Sequence, residues 1–311
     1  VSVTTETATG ARALIEHPLL ARIGETPLVE LRRVTRGTGV AILAKLESAN
    51  PGGSVKDRAA RAIVVDALAR GLLPGRRLLD ASSGNTGIAY AMLGAALGFG
   101  VTICLPGSAS PERKRILRAY GAEVIETDAL EGSDGAIQAA RELAARRPDR
   151  FFYADQYANQ ANPAAHEATT GPELLRQLGG RPLEAFVAGL GTSGTFTGVT
   201  RFLRRASPGT VCVSVEPDGP FHGLEGLKHM ASALVPPIYD AALADLKVAV
   251  RTEEAQEWTR RLAREEGILA GISSGAATAA ALRVARERDA RTVAVIFPDG
   301  GDRYLSEEFW G

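Results

Sequence analysis

The sequence predicts an α/β protein built as two domains, each an open, twisted, mostly parallel sheet. Three observations carry this. Short apolar runs alternate with amphipathic stretches along nearly the whole chain, the pattern of βαβ units on a sheet covered on both faces. The length of 311 residues exceeds one ordinary core and suggests two domains. Four strand-to-helix junctions, at 52–56, 82–87, 189–195 and 272–275, are rich in Gly, Ser and Thr. Open α/β sheets bind ligands at such junctions, outside the carboxyl ends of their strands.

In order, the first ten residues are polar and lack the basic start and apolar centre of a signal peptide; residues 1–18 read as a flexible arm. A turn and short strand follow at 24–31, then a strand at Ala41–Leu46 and a helix over 55–71. Ser54 is the expected N-cap, with Asp57 as a short capping-box acid. Strands are expected at 77–79, 101–105, 122–126, Phe151–Tyr153, 184–189, 211–215, 268–272 and 291–297. Helices are expected at 88–97, 111–120, 135–147, 171–178, 195–205, 252–266 and 276–288. The Asn-rich stretch at 156–170 reads as a long loop and is the natural crossing point between the domains. This gives a large domain from 19–50 with 160–311, and a smaller mobile domain at 51–159.

The totals narrow the function. Lys+Arg and Asp+Glu are both 36, with 45% hydrophobic and 23% charged residues. No net charge draws the chain to nucleic acid or an anionic membrane. No charged residue lies between Asp80 and Glu112, but Ser82–Thr86 is polar and Gly94, Gly98 and Gly100 interrupt the run. A buried helix and strand explain it, so no membrane span is expected. Cys104 and Cys212 are far apart, which suits buried thiols in a reducing, cytoplasmic compartment. The four histidines are scattered and no metal-ligand spacing occurs.

Free N–H groups at helix N-termini bind anions; four such junctions favour at least two anionic groups on bound ligands. Gly189-Leu-Gly-Thr-Ser-Gly194 matches the G-x-G-x-x-G dinucleotide pattern, with Glu216 ending the next strand. Its hydroxyls (Thr192, Ser193, Thr195) suit a terminal phosphate monoester equally well. Lys56, in N-P-G-G-S-V-K-D-R, sits in a first helical turn. There the helix dipole disfavours a cation by ~0.3–1 kcal/mol, which alone cannot neutralise an amine.

Taken together, these loops resemble the fold-type II pyridoxal-phosphate family, in its cysteine synthase (O-acetylserine sulfhydrylase) branch, from about residue 20 to 305. The resemblance implies a tryptophan synthase β-like fold and pyridoxal 5'-phosphate as cofactor, with Lys56 as its covalent anchor and catalytic base. S-S-G-N-T-G resembles the family's carboxylate loop, which makes Ser82, Ser83, Asn85 and Thr86 substrate ligands, with Asn85 also reaching the cofactor. Ser82 departs from the family's usual Thr. D-Q-Y-A-N-Q-A-N-P makes Gln156 a second carboxylate ligand. G-L-G-T-S-G-T resembles the phosphate cup, assigning Gly191, Thr192, Ser193, Gly194 and Thr195 to the cofactor phosphate. G-I-S-S-G-A places Ser273 against the pyridine nitrogen, where a neutral hydroxyl favours β-elimination over transamination.

The implied reaction is a β-replacement. L-cysteine forms from O-acetyl- or O-phospho-L-serine and a sulfur donor (sulfide, thiosulfate or a carrier thiocarboxylate), through an α-aminoacrylate. Phe221–Met230 (F-H-G-L-E-G-L-K-H-M) is the expected leaving-group reader; Lys228 and His229 there resemble the B-type and O-phosphoserine-using branch more than the A-type. Members of the family are usually homodimers. Three other readings share these motifs: a cystathionine β-synthase-like enzyme, a β-replacement with ammonia or cyanide as nucleophile, and a cofactor-binding partner protein without turnover.

Overall fold

A computed structural model describes residues 14, 16–82 and 84–311. The expected arm falls largely on residues outside these, and so does Ser83. Contacts group the chain into two units: Lys56–Asn162 with the segment ending at Gly24, and Glu25–Val55 with Pro163–Gly311.

The first unit is organised on four parallel strands: β3 (Arg77–Ala81), β4 (Val101–Pro106), β5 (Glu123–Thr127) and β6 (Phe151–Tyr153), in the order β5-β4-β3-β6. Side chains alternate across a strand, so β3 sends Leu78 and Leu79 to opposite faces. Leu78 joins Ile63, Val64, Ile88 and Leu93, from the helices Lys56–Ala69 and Asn85–Leu97. Leu79 joins Ala136, Ile137 and Ala140 from the helix Gly132–Arg146. The chargeless run from Ser82 to Pro111 is thereby accounted for as a buried helix and a wholly buried β4.

The second unit carries six strands: β1 (Leu28–Leu31), β2 (Ala41–Leu46), β7 (Ala185–Gly189), β8 (Val211–Pro217), β9 (Leu246–Val250) and β10 (Thr292–Phe297). Their order is β1-β2-β10-β7-β8-β9, with only the edge strand β1 antiparallel. Apolar clusters cover both faces, one centred on the helix Ile272–Arg288 and the other on the helix Gly194–Ala206. Lys45 on β2 is fully buried and paired with Glu173 at 3.0 Å. It also donates to Thr26 O at 2.6 Å and Gln177 Oε1 at 2.9 Å, the additional bonds a buried ion pair requires.

Four details differ from the sequence expectation. The expected loop at 156–170 is helical over Ala161–Ala165 and His166–Thr170, with His166 and Thr170 buried and their side chains 2.9 Å apart. Residues 268–272 form no strand: only Ala270 makes an isolated bridge, to Gly300, and the helix already begins at Ile272. A Cβ at Gly271 would run into the Asp299 carboxylate, so this backbone lies against the Asp299 segment rather than in a sheet. Strand β9, by contrast, was not anticipated; its L-K-V-A-V alternation places Val248 and Val250 in the core. Ser54 lies in an antiparallel bridge to Asp299, and the helix opens two residues later, at Lys56. No described helix is long and apolar enough to cross a membrane.

Candidate active site

Each unit holds candidate residues of its own. In the second unit, residues 50–55 form a tied loop leading to Lys56. Asn50 Nδ2 donates to Glu47 O, Glu47 Oε2 and Ser54 O at 3.0, 2.8 and 3.1 Å. Arg303 donates to Gly52 O, and Val55 N–H to Pro298 O at 2.8 Å. Gly53 takes a left-handed φ of 78°, a conformation glycine adopts without steric cost.

The candidate anion cup of this unit is the loop between β7 and the helix Gly194–Ala206. A Cβ at Gly191 would collide with the Gly226 carbonyl oxygen, so only glycine fits. Ser193 is the N-cap residue, at a left-handed φ of 70°, a conformation that costs a non-glycine residue of order 1–2 kcal/mol. Its buried Oγ has no hydrogen-bond partner among the described residues. Thr192 Oγ1 accepts from Gly194 N–H at 3.3 Å, and Thr195 Oγ1 lies 3.3 Å from His166 Nε2. A strained, buried serine hydroxyl at the N-terminus of a 13-residue helix is incomplete without an anion to receive its proton. A phosphate fits that requirement.

Of residues 221–230, Gly226, Leu227 and Lys228 lie on this cup. Lys228 N–H donates to Leu190 O at 2.8 Å, and Leu227 packs against Gly189. Lys228 is buried, whereas His229 is half-buried with Nδ1 2.8 Å from Ser232 Oγ. Ser273, also buried, is the second residue of the helix Ile272–Arg288. The glycines of its motif serve packing: a Cβ at Gly275 would meet the Ala255 carbonyl oxygen.

In the first unit, Ser82 Oγ accepts from Gly84 N–H at 3.0 Å and Gly87 N–H at 3.1 Å. A hydroxyl has two acceptor positions and one donor. Ser82 therefore caps the helix Asn85–Leu97 and keeps its proton for an anion. Gln156 Nε2 donates to Ala81 O at 2.6 Å, and its Oε1 accepts from Thr86 Oγ1 at 2.6 Å. The carbonyl at Ala81 fixes which end of the amide is nitrogen. Thr86 must then donate to the amide oxygen, which commits its hydroxyl proton to orienting Gln156. One Gln156 N–H remains for a ligand. Asn85 opens the helix and is half-buried.

The supports of this loop were not singled out from sequence. A Cβ at Gly84 would strike the Arg113 side chain, so the buried Arg113 presses the loop from beneath. Asn162 Nδ2 donates to Gln156 O at 2.8 Å, and Asp80 accepts from Gln156 N–H. The only available signal was a charge, Asp80, at the end of an apolar strand. Among the described residues no group of three or more His, Cys, Asp or Glu could hold a metal ion.

Comparisons with known proteins agree with this chemistry. The chain is 47% identical over 296 residues to a cysteine synthase of Aquifex aeolicus, covering 93% of this chain and 90% of the relative. It is 43% identical over 295 residues to cysteine synthase B of Pseudomonas aeruginosa, covering 94% and 97%. Among solved structures, an O-ureido-L-serine synthase superposes with a TM-score of 0.88 at 40% identity, covering 94% of each chain. A family model described as pyridoxal-phosphate dependent enzyme matches residues 19–299. With that match spanning most of the chain, the chain belongs to the pyridoxal-phosphate dependent enzyme family.

Proposed function

We infer that this protein is a pyridoxal-phosphate dependent cysteine synthase, forming L-cysteine from an O-activated L-serine and a sulfur nucleophile. The observation that carries the reading is the first unit's grip: Ser82 and Gln156 each hold one hydrogen ready at a helix N-terminus, the arrangement an amino-acid carboxylate needs. Relatives named cysteine synthase at 43% and 47% identity support it.

Pyridoxal phosphate, when bound, supplies an electron sink that lets the α-carbon of an amino acid lose its proton. Gly191, Thr192, Ser193, Gly194 and Thr195 would hold its phosphate through backbone N–H groups and hydroxyls. Lys56 Nζ would be its covalent anchor, and its amine would serve as the base for the α-proton. Ser273 would face the ring nitrogen with a neutral hydroxyl, and Asn85 the ring's phenolic oxygen. The substrate carboxylate is oriented by Ser82 Oγ–H, Gln156 Nε2–H and the first-turn N–H groups of the helix Asn85–Leu97, with Thr86 locking the amide. Ser83 completes this loop in the reading.

The leaving group is acetate or phosphate. Lys228, whose backbone is bonded to the cup loop at Leu190, would pair with a phosphate leaving group, with His229 assisting when protonated. The enzyme would act as a homodimer in the cytoplasm, where Cys104 and Cys212, both free and buried, stay reduced; light scattering at twice the chain mass checks the dimer. To test the function, the holoenzyme is given sulfide with O-acetyl-L-serine or with O-phospho-L-serine, and L-cysteine is measured. Cysteine from either confirms the reaction, and none from both overturns it. Cysteine-free turnover with another nucleophile would favour a relative of the O-ureido-L-serine synthase kind. A Lys228→Ala variant that keeps full kcat/KM for O-phosphoserine removes the phosphate role.

A further inference from the structure

We propose that Asp80 is a positioning residue for the amino-acid substrate: its buried carboxylate fixes the backbone of Gln156, so that the side-chain amide presents its remaining N–H to the substrate carboxylate. The proposal rests on the reading of Gln156 as a carboxylate ligand.

The geometry begins with the strands. The β3–β6 ladder reaches Ala154 N–H, which donates to Leu79 O at 2.9 Å. Asp155 then takes a left-handed φ of 44° and turns the chain off the ladder. One residue later, Gln156 N–H is received not by a strand carbonyl but by Asp80 Oδ2, at 3.2 Å, while Asp80 Oδ1 accepts from Ala81 N–H at 2.8 Å. One carboxylate thus joins the end of β3, which enters the Ser82 loop, to the residue that completes the grip. Gln156 is held at four points: N–H by Asp80, carbonyl by Asn162, amide nitrogen by Ala81 and amide oxygen by Thr86. Of these four contacts only Asp80 can change its charge.

Its surroundings make that change costly. Asp80 is fully buried. It faces Tyr90 from the helix Asn85–Leu97, Cys104 from β4, Tyr153 from β6, and Asp155 and Tyr157 from the following turn. Behind these stand Glu123 near Cys104, Arg141 near Tyr153 and Asp134 near Tyr157. Burial pushes the Asp80 carboxyl up to about 8, against the two backbone N–H bonds that pull it down. The ionised form accepts both N–H groups; the protonated form, like an asparagine, accepts one well and turns a donor toward the other. Asp80→Asn therefore mimics the loosened state at every pH.

The test compares wild-type and Asp80→Asn holoenzymes by spectral titration with L-serine, which carries the amino-acid backbone without a leaving group. The titration of L-serine itself cancels in the ratio of the two half-saturating concentrations. We expect that ratio to be about 2 at about pH 6.5 and about tenfold or more at about pH 9, with the variant's unfolding midpoint at pH 9 equal to or above wild type. A ratio near one, or one that does not change with pH, overturns the proposal. So does a variant that fails to fold, because Asp80 would then be a structural residue. If the wild type binds L-serine but makes no cysteine, the cysteine synthase reading fails while the ratio still judges Asp80. A wild type blind to L-serine overturns the carboxylate grip and the proposal with it.

Discussion

The proposed phosphate cup at 191–195 and the proposed carboxylate loop at 82–87 have almost the same composition, and both open a helix, yet they are built in opposite ways. The cup is shaped by its backbone: Gly191 lies against the Gly226 carbonyl, Ser193 is forced left-handed, and the Ser193 hydroxyl is left buried without a partner. The loop is shaped by side chains: Ser82 accepts two N–H groups, Thr86 is tied to Gln156, and Asp80 and Asn162 hold Gln156 in turn. A site whose polar atoms are unsatisfied until the ligand arrives suits a resident group. A site satisfied in its free state, with single hydrogens to spare, suits a ligand that must come and go on every turnover.

The most severe way to break this comparison is to remove Lys56, the proposed anchor of the resident group. Lys56→Ala should lower turnover by about 10³-fold or more, since it deletes both nucleophile and base. The cup is untouched, so cofactor should still bind, though removable by dialysis. Unfolding of the apo protein should stay close to wild type, because Lys56 is a half-buried first-turn residue. A variant with wild-type kcat would remove Lys56 from the chemistry.

Next in size is the electrostatic difference between the two regions. The loop rests on Asp80, whose folded-state pKa of about 8 lies above its ordinary value of 3.8 because of burial. A raised carboxyl pKa contributes stability that is fully present below the ordinary value and is lost as pH rises through the raised one. The protein should therefore lose stability between about pH 4 and 8, with Asp80 contributing at most about 1.4 kcal/mol per pH unit. Asp80→Asn should flatten that slope in denaturant titrations taken across the range. An unchanged slope would show that Asp80 titrates at its ordinary value.

A tenfold effect is expected in the cup. Ser193→Ala removes a hydroxyl that meets no partner in the free protein, so apo stability should hold or rise by a few tenths of a kcal/mol. The bond it would make to an anionic phosphate is worth ~1.5–3 kcal/mol, so the half-saturating pyridoxal phosphate concentration for apo protein should rise about tenfold or more. Loss of apo stability instead would mean that the hydroxyl is already bonded, and the contrast with the loop would narrow.

How much of this was legible in the sequence follows from the same contrast. The sheets and most helices were, because period-2 and helical apolar patterns report burial directly; β9 was missed because its five residues include the charged Lys247 and expose alternate positions. Residues 268–272 read as a strand because an apolar run looks the same whether it joins a sheet or lies against a loop. The cup was legible as composition, since Gly and Ser at a helix start are local. The four-point hold on Gln156 was not, because Asp80 is 76 residues away in sequence and nothing local to either residue signals the other. The role of Thr86 was likewise hidden: the motif marks its hydroxyl, but only the Ala81 carbonyl decides which end of the amide that hydroxyl meets.

The smallest expected effect separates shape from hydrogen bonding in the loop. Ser82→Ala leaves Gly84 and Gly87 N–H without their acceptor, a lost cap worth ~1 kcal/mol and about 1–2 °C in unfolding midpoint for a chain of this size. It also deletes one donor to the substrate, so the half-saturating amino-acid concentration should rise about three- to tenfold. Unlike Ser193→Ala, this change should weaken the free protein and the complex together. Ser82→Thr keeps the hydroxyl and adds a methyl at a buried position, and should stay within about twofold of wild type in binding. If Ser82→Thr is as impaired as Ser82→Ala, room rather than the hydroxyl decides this position. The loop would then be a packed wall like the cup, and the distinction between the two regions would rest on Gln156 alone.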